Sequence, residues 1–307
     1  MTKPGTLLTL GHGYCASALT RDLVGAGWRV LGTVRDANKG HALMDQGVEP
    51  ILWTPKTVAR ALEQASHVLV SAGPEVEPKV GHKAGGAMGH DPSLALISDV
   101  LTRRAQDLRW VGYLSTTGVY GDANGDWVTE SSPLHPGTKR GQARLAAETD
   151  WRAIPDLPLH IFRLAGIYGP GRGPFAKVRA GTARRIIKPG QVFSRIHVAD
   201  IAQVLRASMA RSNPGAAYNV CDDDPAPPQD VIAYAAELLG QPIPKAVTID
   251  EVDLTPMARS FYAENKRVDN TRIKTELGIA LQYPDYKTGL RAMAEAQDDK
   301  VAQGQQI

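Results

Sequence analysis

Residues 6–19 read TLLTLGHGYCASAL, a short apolar run that passes directly into Gly11, Gly13 and Ala16. The run suits a strand buried on both faces, and YCASAL suits the start of a helix. The three small residues match G-x-G-x-x-G/A in the place that pattern requires, between a strand and a helix. Gly11 permits the tight turn, Gly13 lets backbone approach a pyrophosphate, and Ala16 lets helix and strand pack closely. The helix start adds free N–H groups and the positive end of its dipole, both favourable to phosphate. The expected ligand is a dinucleotide, held at Gly11, Gly13, Tyr14, Cys15 and Ala16, with Ala72 beside them at the end of a later strand. A helix start can lower a thiol pKa, but Cys15 reads more simply as a small buried residue without a catalytic role.

Further strands are expected at 28–34, 67–72, 109–115 and 159–165, with a weaker one at 48–53 that contains Pro50. Amphipathic or alanine-rich stretches at 14–25, 38–46, 56–65, 92–107 and 140–154 alternate with them. Unalternated apolar strands separated by helices imply a parallel sheet covered on both faces. The fold expected is α/β, a doubly wound Rossmann core over residues 1–170. A smaller, mostly helical region over 171–307 follows, partly woven back into that core. Two long polar connections interrupt the pattern, at 73–91 and 121–139, and loops of that length are usually functional or disordered. The first, rich in glycine, is expected to close over the cofactor.

The 307 residues carry a net charge of +3, too little to argue for nucleic acid. Its distribution says more. Between Lys139 and Arg195 stand 12 Lys and Arg against three acids, Glu148, Asp150 and Asp156. Such an excess concentrates anionic small molecules in a cleft, or else forms a solvated basic face. No nucleic-acid-reading motif accompanies it. The two cysteines, Cys15 and Cys221, make no disulfide framework, and no apolar run reaches the length of a membrane span. With no signal-peptide pattern at the start, a reduced, cytoplasmic chain without membrane contact is expected. The eight histidines are scattered, and Asp222–Asp224 suits a turn better than a cation, so no metal is expected.

At the end of the second strand, GTVRDANK places Arg35 ahead of Asp36. An acid in this region usually bonds the ribose 2′-hydroxyl of NAD, whereas an arginine suits a 2′-phosphate. NADP is the expected cofactor. NAD follows if Arg35 points to solvent and Asp36 takes the ribose.

LSTTGVYGD (114–122), FRLAGIYGPGR (162–172), RIHVADIA (195–202) and YNVCDDDP (218–225) complete the pattern. Together these segments resemble the extended short-chain dehydrogenase/reductases, the family of NAD-dependent epimerases and dehydratases, from Gly11 to about Leu290. The resemblance implies that Ser115 and Thr116 polarise a substrate carbonyl and that Ile167–Gly171, with Tyr168, shapes the nicotinamide and substrate pocket. His197 and Asp200 would support the C-terminal lobe, His197 as a packed structural residue. The family's catalytic Tyr-x-x-x-Lys lies on the helix that here begins RGQARLAAE (140–148). Aligning on LAAE puts Arg140 where the tyrosine belongs and Arg144 where the lysine belongs. Arginine has no proton to exchange near neutral pH, so the usual dyad is missing. Tyr120 is the candidate proton donor, against a packing role. Arg144 is expected to hold the nicotinamide ribose and Arg140 a substrate anion, unless Asp126 and Glu130 of the upstream loop neutralise them.

Two functions follow. One is an oxidoreductase or epimerase acting on an anionic small molecule with a non-standard acid/base set. The other is a non-catalytic NADP(H) sensor read by a partner protein. By analogy of fold, a homodimer formed through helices beside the site is a further expectation.

Overall fold

Leu7 faces one hydrophobic layer and Leu8 and Leu10 the other, which is why the first strand needs no polar alternation. The computed structural model describes residues 4–76 and 91–302. The central sheet is built from β1 (Thr6–Leu10), β2 (Arg29–Val34), β3 (Glu49–Leu52), β4 (His67–Val70) and β5 (Trp110–Thr116). A two-residue strand, β6 (Trp127–Val128), lies outside it, and β7 (Leu159–Leu164) rejoins it. The helices of this half are α1 (Tyr14–Gly25), α2 (Gly40–Met44), α3 (Pro55–Gln64), α4 (Leu94–Arg104) and α5 (Lys139–Arg152).

The second half supplies β8 (Gly166–Tyr168), β9 (Arg185–Ile187), β10 (Arg195–His197), β11 (Ala217–Val220), β12 (Ala246–Thr248) and β13 (Arg267–Val268). Its helices are α6 (Phe175–Arg179), α7 (Val198–Ala210), α8 (Pro228–Leu238), α9 (Pro256–Tyr262), α10 (Thr271–Leu277) and α11 (Tyr286–Ala302). All seven strands of the large sheet run parallel, in the order β11-β7-β5-β4-β1-β2-β3. The order reverses between β1 and β4, and ligands of such sheets bind beyond the strand ends at that switch point.

Pro50 survives inside β3 because β3 is an edge strand, where the missing N–H costs no pairing. The stretch 38–46 is not one helix. Asp36 accepts a bond from the Asn38 amide and starts a tight turn over Ala37–Lys39, and α2 begins only at Gly40.

Residue 170 is no clean boundary. α7 lies along α1, and β11 pairs with β7 as the edge strand opposite β3. The later half also has its own core, which includes Tyr168, Phe175, Val231, Tyr286 and Leu290. The connection at 121–139 is pinned by it. β6 pairs with β13, and the Ala123 and Gly125 amides both donate to the Asn265 carbonyl. Most of the 73–91 connection, and with it the expected closure over the cofactor, lies outside the described residues.

Candidate active site and cofactor cleft

Gly11 takes φ +86°, and a Cβ there would stand 2.7 Å from the Ala72 amide nitrogen. The tight turn therefore presses against the backbone leaving β4, and Ala72 is placed by that contact. Gly13 differs: its φ is −111°, and a Cβ there would meet nothing within 4 Å. α1 carries no side-chain cap and no acid in its first turn. An open space in front of an uncapped helix start is the shape a pyrophosphate requires, so the residues fit the dinucleotide.

This loop forms one end of a cleft of about 1330 Å³, which continues past Thr116 to the second lobe. Among the described residues, seven Lys and Arg side chains line it against one acid, Glu264, which is paired with Lys266. Cys15 lines it too, with its side chain largely buried, and burial pushes its thiol up to about 11. Burial and a raised pKa both disfavour the reactive thiolate.

Alternation along β5 separates the two hydroxyls at its end. Ser115 shares a face with Val111 and Tyr113 and is buried; its Oγ donates to Glu148 Oε1 at 2.5 Å. Thr116 faces the other way, half-buried, and caps the turn over Thr117–Tyr120 by accepting from the Gly118 amide. Both residues line the cleft, Ser115 with its proton given to Glu148 and Thr116 without a carboxylate partner among the described residues.

Tyr120 also departs from expectation. It is 3% exposed, and its hydroxyl donates to Asn219 Oδ1 at 2.6 Å and accepts from Arg163 Nη1 at 3.0 Å. Burial raises its pKa, with Arg163 opposing. The phenol is bonded inside the protein and is not among the residues that line the cleft, an arrangement that suits packing better than proton donation. Its partner Arg163, on β7, donates to both oxygens of Glu148, at 3.3 and 2.9 Å, and both side chains are almost wholly buried. Sequence reading passed over this pair. The signal was available: an arginine inside the apolar run LHIFRLA needs a buried partner.

Tyr168 lines the cleft with its ring, but its hydroxyl donates to the Asp285 carbonyl, so it offers a substrate no free polar group. His197 caps α7 by accepting from the Ala199 amide and packs edge-on against Tyr168 and at a tilt against Tyr283. Asp200 accepts from the Gln282 and Tyr283 amides, fastening the last segment of the lobe. A phenol that sequence reading missed, Tyr262 on α9, lines the cleft and makes no hydrogen bond through its hydroxyl to another described residue.

The two arginines of α5 both reach the cleft. Arg144 Nη1 donates to the Leu114 carbonyl at 2.8 Å and to the Tyr113 hydroxyl at 3.2 Å, with its guanidinium close over Gly73. Arg140 is exposed, lies 4.8 Å from the Phe261 ring centroid and donates to Ser260 Oγ. Neither meets a carboxylate among the described residues. The expected neutralising acids are elsewhere: Glu130 accepts from the Asn219 amide, and the Asp126 backbone pairs with Ala123 and Arg267. Arg35 is exposed just past β2, and Asp36 is turned onto its own backbone.

Among the described residues no helix is long and apolar enough to cross a membrane, and no cluster of side chains could hold a metal ion. The chain is similar over 96% of its length to 99% of a functionally unknown conserved protein from Silicibacter pomeroyi, at 57% identity and a TM-score of 0.88. Protein YeeZ of Escherichia coli is 27% identical over 281 residues, 90% of this chain and 95% of that protein. The human epimerase family protein SDR39U1, solved with NADPH, shares the fold at 18% identity and a TM-score of 0.75, over 94% of this chain and 99% of that one. The family model described as NAD dependent epimerase/dehydratase matches residues 7–221, from β1 through the end of β11. With its glycine loop, parallel sheet and cleft in the corresponding order, the chain belongs to the NAD dependent epimerase/dehydratase family.

Proposed function

We propose that the chain is an NADP-dependent oxidoreductase acting on an anionic small molecule. The observation that carries this reading is the pair Arg140 and Arg144, two cations one helical turn apart in the cleft with no carboxylate partner among the described residues. Like charges so placed repel, and the repulsion is relieved when an anion enters. A bound nicotinamide supplies or accepts hydride. Thr116 would polarise the reacting carbonyl, Arg144 would hold the nicotinamide ribose, and Arg140 would meet the substrate's carboxylate or phosphate. Tyr262 replaces Tyr120 as the candidate proton donor, because its hydroxyl is uncommitted and on the cleft wall.

The test is NADPH oxidation against a panel of carboxylates and phosphate esters. Arg140→Ala should raise KM for the active compound and leave NADPH affinity unchanged. Arg144→Ala should weaken NADPH about tenfold, roughly 1.4 kcal/mol. A drop in Tm in both variants without any change in binding would mean that the arginines only brace α5. Tyr262→Phe with full turnover would remove that phenol from the chemistry.

The choice of NADP rests on Arg35, exposed where a 2′-phosphate would lie, and on Asp36, whose carboxylate already holds the Asn38 amide. Arg35→Ala should cost about 1.5–3 kcal/mol for NADPH and little for NADH, the range of a charge-assisted bond. Equal affinities for both cofactors in the unaltered protein would reverse the choice. A sensor is the second reading, favoured by Tyr120, whose burial leaves the family's serine-tyrosine region without a free phenol. NADPH binding without turnover across the whole panel would support it.

A further inference from the structure

The loop Gly169–Arg172 belongs to the second lobe, yet it is built against the glycine loop of the first. Gly169 and Arg172 exchange backbone hydrogen bonds at 2.8 and 2.9 Å, closing a tight turn around Pro170 and Gly171. Gly169 has φ +149°, and a Cβ there would stand 2.6 Å from the Tyr14 hydroxyl oxygen. That hydroxyl donates to the Pro170 carbonyl at 2.9 Å. The turn is thereby fixed on Tyr14, the first residue of α1.

Arg172 projects from this turn with its guanidinium 5.8 Å from the Tyr14 ring centroid, and it lines the cleft. Its charge is also felt at Cys15, where it opposes the rise in the thiol's pKa. The side chain is exposed and forms no ion pair among the described residues. A cation beside Tyr14 therefore lines the same cleft as Gly13 and the uncapped, positive start of α1. Two positive groups in one cleft repel each other and both favour an anion there.

We propose that Arg172 is a cofactor-binding residue that clasps the dinucleotide's diphosphate against α1 from the second lobe. This rests on the dinucleotide reading of the glycine loop. It adds a consequence: binding the diphosphate ties the two lobes together through a residue of neither strand nor helix. The clasp is blind to the 2′-phosphate, which hangs from another carbon of the adenine ribose, on the side of Arg35.

The experiment is calorimetric titration of the full chain with NADPH, NADH and ADP, for the unaltered protein and for Arg172→Ala and Arg172→Lys. Arg172→Ala should weaken all three about tenfold while leaving the NADPH-to-NADH ratio unchanged, and Arg172→Lys should recover part of the loss. Because the side chain is exposed, Tm should move little in either variant. Unchanged ADP affinity in Arg172→Ala would overturn the proposal and assign the cation to the substrate. A loss confined to NADPH would overturn it equally, since it would place Arg172 on the 2′-phosphate. An unaltered protein that binds none of the three would remove the glycine-loop reading itself, a result distinct from binding that ignores Arg172.

Discussion

Gly13→Val is expected to fold like the unaltered chain and to lose NADPH and NADH together, by at least about 100-fold, or roughly 2.7 kcal/mol. The backbone at Gly13 is extended, at φ −111° and ψ −160°, which any residue adopts, and nothing stands within 4 Å of where its Cβ would be. The valine side chain therefore has room in the free protein and occupies the ground a pyrophosphate needs. Tm should stay within about 2 °C of the parent, and titration should register no heat of binding at either cofactor's working concentration. Gly11→Val makes the contrast. At φ +86° with the Ala72 backbone 2.7 Å away, it should fail through instability. A Gly13→Val protein that binds normally would dispose of the glycine loop as the pyrophosphate site.

The second large effect lies beneath the site. Glu148→Ala removes the only carboxylate paired with Arg163 among the described residues and leaves a guanidinium in a nearly dry interior. Such a deletion typically costs about 3–5 kcal/mol, a large share of the roughly 5–15 kcal/mol that stabilises a domain. Urea unfolding should show the midpoint falling accordingly. Removing the partner as well, as Glu148→Leu with Arg163→Met, should restore most of the loss, because the penalty belongs to the unpaired charge and not to the absence of an ion pair. If Glu148→Ala costs less than about 1 kcal/mol, Arg163 has found water or another acceptor and the pair is not what fixes this region.

The sheet could be read in advance because strands covered on both faces must be apolar at every position, as TLLTL, HVLV and LHIFRL nearly are. Helix extents were legible for α1 and α5, and less so near Asp36, whose short side chain competes for backbone and starts a tighter turn. At the site, the glycine loop was legible since its residues act through backbone shape alone. The partners of Ser115 and Tyr120 were not legible because a motif gives position along the chain, not the direction a side chain takes. Counting the period of two from Val111 would have turned Ser115 toward α5. Tyr262 and Arg172 were out of reach for another reason. Their relation to β5 and α1 depends on how the second lobe closes on the first, across 146 and 158 residues of sequence. No local pattern encodes that distance.

The place of β11 in the sheet has a consequence for the chain as it is made. A ribosome delivers β7 well before β11, and Leu164 and Ala217 are separated by 53 positions. At ordinary rates of synthesis the outer edge of β7 waits on the order of 3–10 seconds for its neighbour. During that wait the nascent chain shows an unpaired, largely apolar strand, the kind of edge on which other chains nucleate. The intermediate most exposed to aggregation is therefore a partly translated one, and a gene cut near codon 170 would fix the protein in that state.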